Sequence, residues 1–237
     1  DYGACVASID WSTRVIFDEL KELGIDDNTL VIFTSDNGSR LQNQGGSNGN
    51  LRGRKGQTWD GGQRVPCIIR WPGKINGGEE TDALATTMDF LPSITNLIGG
   101  ELPSKKIDGI DMSELFFSNS NSSKRESFLY YNEDELEAIR YKNWKLHFKK
   151  EGKLINELYD LGNDIGEKVN LYNENKEIVT ELSSLADDYR KSLGDKFFDI
   201  EGEEVRPAGR IADPKPLTEF DENHPYMYAE YDKGERG

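Results

Sequence analysis

An α/β fold in two parts is predicted by three observations. Leu30-Val-Ile-Phe-Thr-Ser-Asp-Asn-Gly38 is a short apolar run that stops at an Asp-Asn pair, the pattern of a buried strand that turns at Gly38. Residues 118–123, Ser-Asn-Ser-Asn-Ser-Ser, are polar low-complexity sequence that divides the chain. Beyond them, three β-type segments precede an amphipathic helical stretch. The expected architecture is the final strands and helices of a large mixed sheet sandwiched by helices over 1–117. A small antiparallel sheet with a packed helix follows over 124–195, and an extended tail over 196–237.

Taken in order, Cys5, Ile9, Ile16, Leu20 and Leu23 recur at helical spacing, and Gly24 is a fitting stop. The turn Ile25-Asp-Asp-Asn28 leads to the strand Thr29–Thr34. Residues 38–62 hold eight glycines and little apolar material, so they form one long irregular loop, and loops of that length are usually functional or disordered. Val65–Trp71 is a second strand, closed by the turn Trp71-Pro-Gly73. Thr86–Ile98 reads as a helix ending at Gly99-Gly100, with Pro92 as a kink or restart. After the polar linker, Phe128–Tyr131, Ala138–Tyr141 and Trp144–Phe148 read as neighbouring antiparallel strands, the last two joined by Lys142-Asn143. Ile178, Leu182, Leu185, Tyr189 and Leu193 mark the amphipathic helix. The tail carries tyrosine and phenylalanine without periodicity and is expected to pack onto the surface in places.

Composition narrows the function. A net charge of −15 over 237 residues argues against a nucleic-acid binder working by bulk electrostatics. Charge is uneven, however: Arg52, Arg54, Lys55, Arg64, Arg70 and Lys74 face only Asp60 between residues 51 and 75, a positive island suited to focusing an anion. Arg70 and Lys74 are expected simply to pair with surface carboxylates. Cys5 and Cys67 have no disulfide or metal spacing and are read as buried free thiols, and two histidines are too few for an imidazole-rich zinc site. No stretch is apolar enough to span a bilayer, so no membrane partner is expected. The chain opens at Asp1 directly into helical sequence, which is read as a processed or truncated N-terminus. That leaves the compartment and the oligomeric state open.

Asp36 and Asn37 are the candidate metal ligands. A carboxylate and an amide carbonyl on adjacent residues are hard oxygen donors, suited to calcium or magnesium. Ligands in open α/β sheets gather outside the carboxyl ends of strands, where this pair is expected to lie. Most Asp-Asn-Gly tripeptides are only turns; the strand before and the basic glycine-rich loop after raise this one above the rest. Lys55 is the candidate anion contact. A nucleotide-type phosphate loop needs Gly-Lys followed by Ser or Thr, directly after a strand and before a helix, and Gly53-Arg-Lys-Gly56 fails that test. The case for Lys55 rests on glycine density, which lets backbone and ammonium approach an anion closely. Asp60, Asp89 and Asp111 are read as caps or surface groups, His147 as a satisfied structural histidine on a strand. His224 is given no role, and Asn121-Ser-Ser123, a formal glycosylation site, no weight.

Together these segments resemble the type I sulfatases, the arylsulfatase branch of the alkaline phosphatase superfamily. The resemblance is carried by Asp10-Trp11, Asn28-Thr-Leu-Val-Ile-Phe-Thr-Ser-Asp-Asn-Gly38, Leu51-Arg-Gly-Arg-Lys-Gly56, Gly61-Gly-Gln-Arg-Val-Pro66 and Trp71-Pro-Gly73. It continues through Asp89-Phe-Leu-Pro92, Asp108-Gly-Ile-Asp111, Ala138-Ile-Arg140, Trp144-Lys-Leu146 and Glu157-Leu-Tyr-Asp-Leu161, nearly the whole chain. It implies the C-terminal part of an alkaline-phosphatase-like catalytic domain, with Asp36 and Asn37 as half of a calcium site (magnesium being second choice) and Lys55 on the substrate sulfate. It also implies a formylglycine nucleophile made from cysteine, which attacks sulfur to give a covalent sulfate intermediate. Neither Cys5 nor Cys67 has the context for that modification, so the nucleophile and the remaining metal ligands are expected upstream and the chain is expected to be inactive alone. The implied substrate is a sulfated small molecule or glycan, and the implied location periplasmic, secreted or lysosome-like. A phosphatase or phosphonate hydrolase of the same superfamily, or a non-catalytic calcium-binding fragment, is the alternative. Asp60 stands where the family commonly has glutamate.

Overall fold

The computed structural model describes residues 1–40, 45–118 and 120–214, and the expected tail therefore lies largely outside the described residues. The chain divides into a compact unit, Asp1–Glu203, and a second unit, Glu204–Gly237. In the second unit, residues 204–214 are irregular and exposed.

The first unit opens with helix α1, Tyr2–Glu22, which ends as expected at Gly24 in the left-handed region (φ 67°). Strand β1, Val31–Thr34, pairs antiparallel with β2, Cys67–Arg70, with Val31 opposite Arg70 and Thr34 opposite Cys67. Between them lie the long loop and one short helical turn, α2, Asp60–Gln63. The Arg70 guanidinium meets both oxygens of Asp26 at 2.6 and 2.8 Å, the surface pairing expected of it.

Burial differs from expectation in this half. β1 is shorter than Thr29–Thr34 and only half-buried, with Phe33 exposed; Cys5 and Cys67 are free thiols but both exposed. The physical reason is that α1 has no buried residue and β1 pairs only with β2, so the apolar faces of these elements have no cover among the described residues.

The predicted helix over Thr86–Ile98 is two pieces. A 3-10 turn, Thr87–Asp89, runs into α3, Phe90–Leu97, so Pro92 sits in the first turn of a restarted helix where its missing N–H costs nothing. Asp89 is a cap, as read: it closes a capping box with Thr86. It is also fully buried, paired with Arg125 and accepting the Ile110 amide. Asp111 accepts the Ser113 amide at the start of α4, Ser113–Phe117.

Four strands then form an antiparallel meander: β3 Ser127–Asn132, β4 Glu135–Tyr141, β5 Trp144–Lys150 and β6 Lys153–Asp160. The last was not expected as a strand. Helix α5, Lys176–Leu193, lays Val179, Leu182 and Ala186 against Leu136, Ile139, Leu146 and Leu158, the main core. β5 shows the period-2 logic of a strand: Trp144, Leu146 and Phe148 pack with that core, and Lys145 and His147 reach Thr58, Asp60 and Glu167 on the other face. That other face is buried too, which decides the geometry of the site.

Candidate functional site

The Asp36–Asn37 turn follows β1 directly, as the sequence suggested. Asp36 is exposed and Asn37 half-buried, and the Asn37 amide nitrogen donates to Asp36 Oδ1 at 2.8 Å. Ser35 Oγ donates to the Asn37 carbonyl at 3.1 Å and fixes the turn. The donor set is a carboxylate and an amide, both hard. Calcium takes about 6–8 oxygens, so these two side chains fit part of such a site, and the Asn37 amide must turn to offer its oxygen. No group of three or more His, Cys, Asp or Glu side chains suited to a metal occurs among the described residues.

Lys55 is exposed at the tip of the glycine-rich loop. Its backbone N–H donates to the Ser39 carbonyl at 3.1 Å, and Gly38 N–H donates to the Gly62 carbonyl at 3.1 Å. The structure thus brings the loop carrying Lys55 onto the turn carrying Asp36 and Asn37. Asn48, which sequence reasoning passed over, completes the join: its Oδ1 accepts the Ser39 amide at 2.8 Å and its Nδ2 donates to the Gly53 carbonyl at 3.0 Å. The glycines have a second purpose besides anion access. A methyl group at Gly38 would overlap the Gly61 carbonyl, so the two segments can touch only as bare backbone.

The positive island is partly spent on structure. The Arg52 guanidinium lies 3.6 Å over the Trp59 ring and donates to the Tyr159 hydroxyl and the Glu167 carbonyl, each at 2.9 Å. Arg64 approaches Asp82 at 3.5 Å across the surface.

Asp60 corrects the sequence reading most. It is not a surface group: it is buried beneath the loop, with Oδ1 accepting from Lys145 Nζ at 2.7 Å and from the Tyr130 hydroxyl at 3.1 Å. Lys145 Nζ also donates to the Thr58 carbonyl at 2.9 Å and meets Glu167 Oε1 at 2.9 Å. Glu167 Oε2 accepts the Asp60 amide at 2.9 Å. His147 is structural but satisfied at one nitrogen only: Nε2 lies 3.1 Å from Glu167 Oε1, and the ring packs 4.0 Å from Trp59.

Burial and neighbours set the charges. Burial drives the His147 imidazole well below its ordinary range, reinforced by Lys145, so the ring is neutral. Burial pushes Glu167 up, with Asp60 adding to the rise and Lys145 opposing it. Burial also acts to raise Asp60, but the charge and hydrogen bond of Lys145 outweigh it and the carboxyl sits below its ordinary value.

The fold thus sets an acid–amide turn beside a lysine-bearing, glycine-rich loop. The comparisons with known proteins fix the family. The sulfatase family model matches residues 1–100, and the model described as N-sulphoglucosamine sulphohydrolase, C-terminal, matches residues 54–192. The chain belongs to the sulfatase family. It is 37% identical to mouse (Mus musculus) steryl-sulfatase over 159 residues, covering 62% of this chain and 26% of that protein. It is 33% identical to human (Homo sapiens) arylsulfatase A over 196 residues, covering 72% of this chain and 38% of that protein. The solved structure of Ps i-CgsB in complex with k-i-k-neocarrahexaose superposes with a TM-score of 0.69 at 29% identity, covering 78% of this chain and 41% of that one. The chain thus spans about a quarter to two-fifths of the curated relatives it matches. No helix among the described residues is long and apolar enough to cross a membrane.

Proposed function

We propose that this chain supplies the cation-binding turn and the sulfate-contacting lysine of a sulfuric ester hydrolase. The observation that carries the reading is the hydrogen bond from Lys55 N–H to the Ser39 carbonyl, which joins the candidate anion contact to the segment holding Asp36 and Asn37.

In this reading Asp36 and Asn37 hold calcium, with magnesium second choice. A bound divalent cation supplies neutralisation of the sulfate oxygens. Lys55 faces solvent from the loop tip, where its ammonium is free to meet the sulfate and to stabilise charge developing on the leaving oxygen. The nucleophile, a formylglycine, and the remaining cation ligands belong to sequence upstream of Asp1. The uncovered apolar residues of α1 and β2, among them Ile9, Ile16 and Ile68, support that assignment, because they are the surface such sequence would cover. A sulfated carbohydrate is the favoured substrate, since a relative of the same fold is solved with a neocarrahexaose. A compartment outside the cytosol, where such glycans and calcium are abundant, accords with it.

Calorimetry of the 237-residue chain with calcium tests the reading. Wild type is expected to bind and Asp36→Ala to lose binding; equal heats for both would remove Asp36 from the site. The chain alone is expected to show no turnover of an aryl sulfate. Measurable hydrolysis would place a nucleophile within it and sink the upstream assignment.

A further inference from the structure

The loop from Arg52 to Gly61 closes on itself, because Gly61 N–H donates to the Arg52 carbonyl at 2.7 Å. Its two feet therefore stand side by side, and both stand on one residue. The Glu167 carbonyl accepts the Arg52 guanidinium at 2.9 Å, and Glu167 Oε2 accepts the Asp60 amide at 2.9 Å. The other oxygen, Oε1, takes Lys145, which in turn reaches the Thr58 carbonyl and Asp60. Glu167 makes these contacts from a left-handed backbone (φ 50°). Glycine would hold that backbone without penalty.

We infer that Glu167, with Lys145, is a positioning residue for Lys55: it fixes both feet of the 52–61 loop on the four-stranded sheet and so sets where the loop tip meets the anion. The opposite side of the loop is held by the Asp36–Ser39 turn, through the Gly38–Gly62 and Lys55–Ser39 bonds. Lys55 is thus carried between two clamps, one at the proposed cation site and one at the buried Glu167–Lys145 pair. The inference rests on the proposed sulfate-binding role of Lys55.

The test titrates inorganic sulfate, in the presence of calcium, into the full chain and follows the loop amides by NMR, with hydrogen exchange read on the same samples. Glu167→Gly relieves the backbone and removes the carboxylate. It is expected to weaken sulfate binding roughly tenfold or more and to speed exchange at Lys55, Gly56 and Gly61, leaving β3–β5 amides protected as in wild type. Glu167→Gln, which keeps an acceptor oxygen, is expected to recover most of the affinity. Should Glu167→Gly not fold, Arg52→Lys removes one foot from an exposed position and carries the same expectation. Wild-type sulfate affinity in these variants, or loop and sheet amides that loosen together, overturns the inference. Lys55→Ala separates it from the reading beneath: if Lys55→Ala binds sulfate like wild type, the anion role of Lys55 fails. If Lys55→Ala loses binding while the Glu167 variants keep it, only the positioning role fails.

Discussion

The two halves of the first unit distribute polarity in opposite ways. Around α1, β1 and β2, apolar side chains face outward: Trp11 is 66% exposed and Ile68 60%. Under the four-stranded sheet, ionisable side chains face inward: Lys145, His147 and Glu167 are wholly buried. A buried charge is tolerated only when paired and hydrogen-bonded, and Lys145 meets that condition through Glu167 together with Asp60 and Thr58 of the loop between β1 and β2. The first region leaves apolar surface that its own residues do not cover. The lesson is that the sheet and α5 complete their apolar core from their own residues, while the polar face of the sheet and the 52–61 loop satisfy each other.

Four measurements break or sharpen this contrast. The largest effect is expected at Lys145→Met, which leaves Asp60 buried without its partner; denaturant unfolding should report a loss of about 3–5 kcal/mol. A loss below about 1 kcal/mol would mean that the cluster is not what anchors the loop. Next, Leu182→Ala in the core under α5 should cost about 2–5 kcal/mol. The parallel change Ile9→Ala on exposed α1 should stay within about 0.5 kcal/mol, and similar costs for both would erase the difference between the regions.

The third effect is a pH dependence. His147 is driven below its ordinary value by burial first and by Lys145 second. The unfolded chain therefore binds a proton at about pH 6.5 that the native ring refuses. Its contribution to stability is complete above about pH 6.5 and falls as pH is lowered toward the native value, by up to about 1.4 kcal/mol per pH unit. Glu167, raised by burial, tilts the curve the other way between its own raised value and about pH 4.3. The comparison of wild type with His147→Phe isolates the imidazole: the variant should lose the fall below pH 6.5, and identical curves would show that His147 does not titrate as argued. The smallest effect is expected at Asp36→Ala, whose side chain is exposed: stability should shift by less than about 0.5 kcal/mol while calcium binding is lost.

Much of this was legible from residue order. The strand ending at Asp36-Asn37, the helix over Ile178–Leu193 and the β-type segments at 128–148 all appear, because each follows local periodicity. The loop's proximity to the turn was suggested only by glycine density, and backbone contact at Gly38 and Gly61 supplies the reason. Strand β6 escaped notice since Lys153, Asn156 and Glu157 interrupt any alternation. The buried cluster escaped for a deeper reason. Lys145 and His147 alternate with apolar residues, which ordinarily marks a solvated face; that Asp60 and Glu167 cover that face depends on long-range topology. The exposure of Cys5 and Cys67 was missed likewise, because apolar neighbours along the chain do not reveal whether anything packs on top of them.

The bare contact between Gly38 and Gly61 has a consequence for how this molecule can vary. Random replacement at either position should recover almost nothing but glycine among variants that keep the loop seated, while Asp36 and Lys55, a few residues away, accept many side chains without harm to the scaffold. Tolerance to change and importance to chemistry are therefore inverted across a handful of neighbouring residues. A screen for folding alone would rank the two glycines first and overlook the groups they bring together.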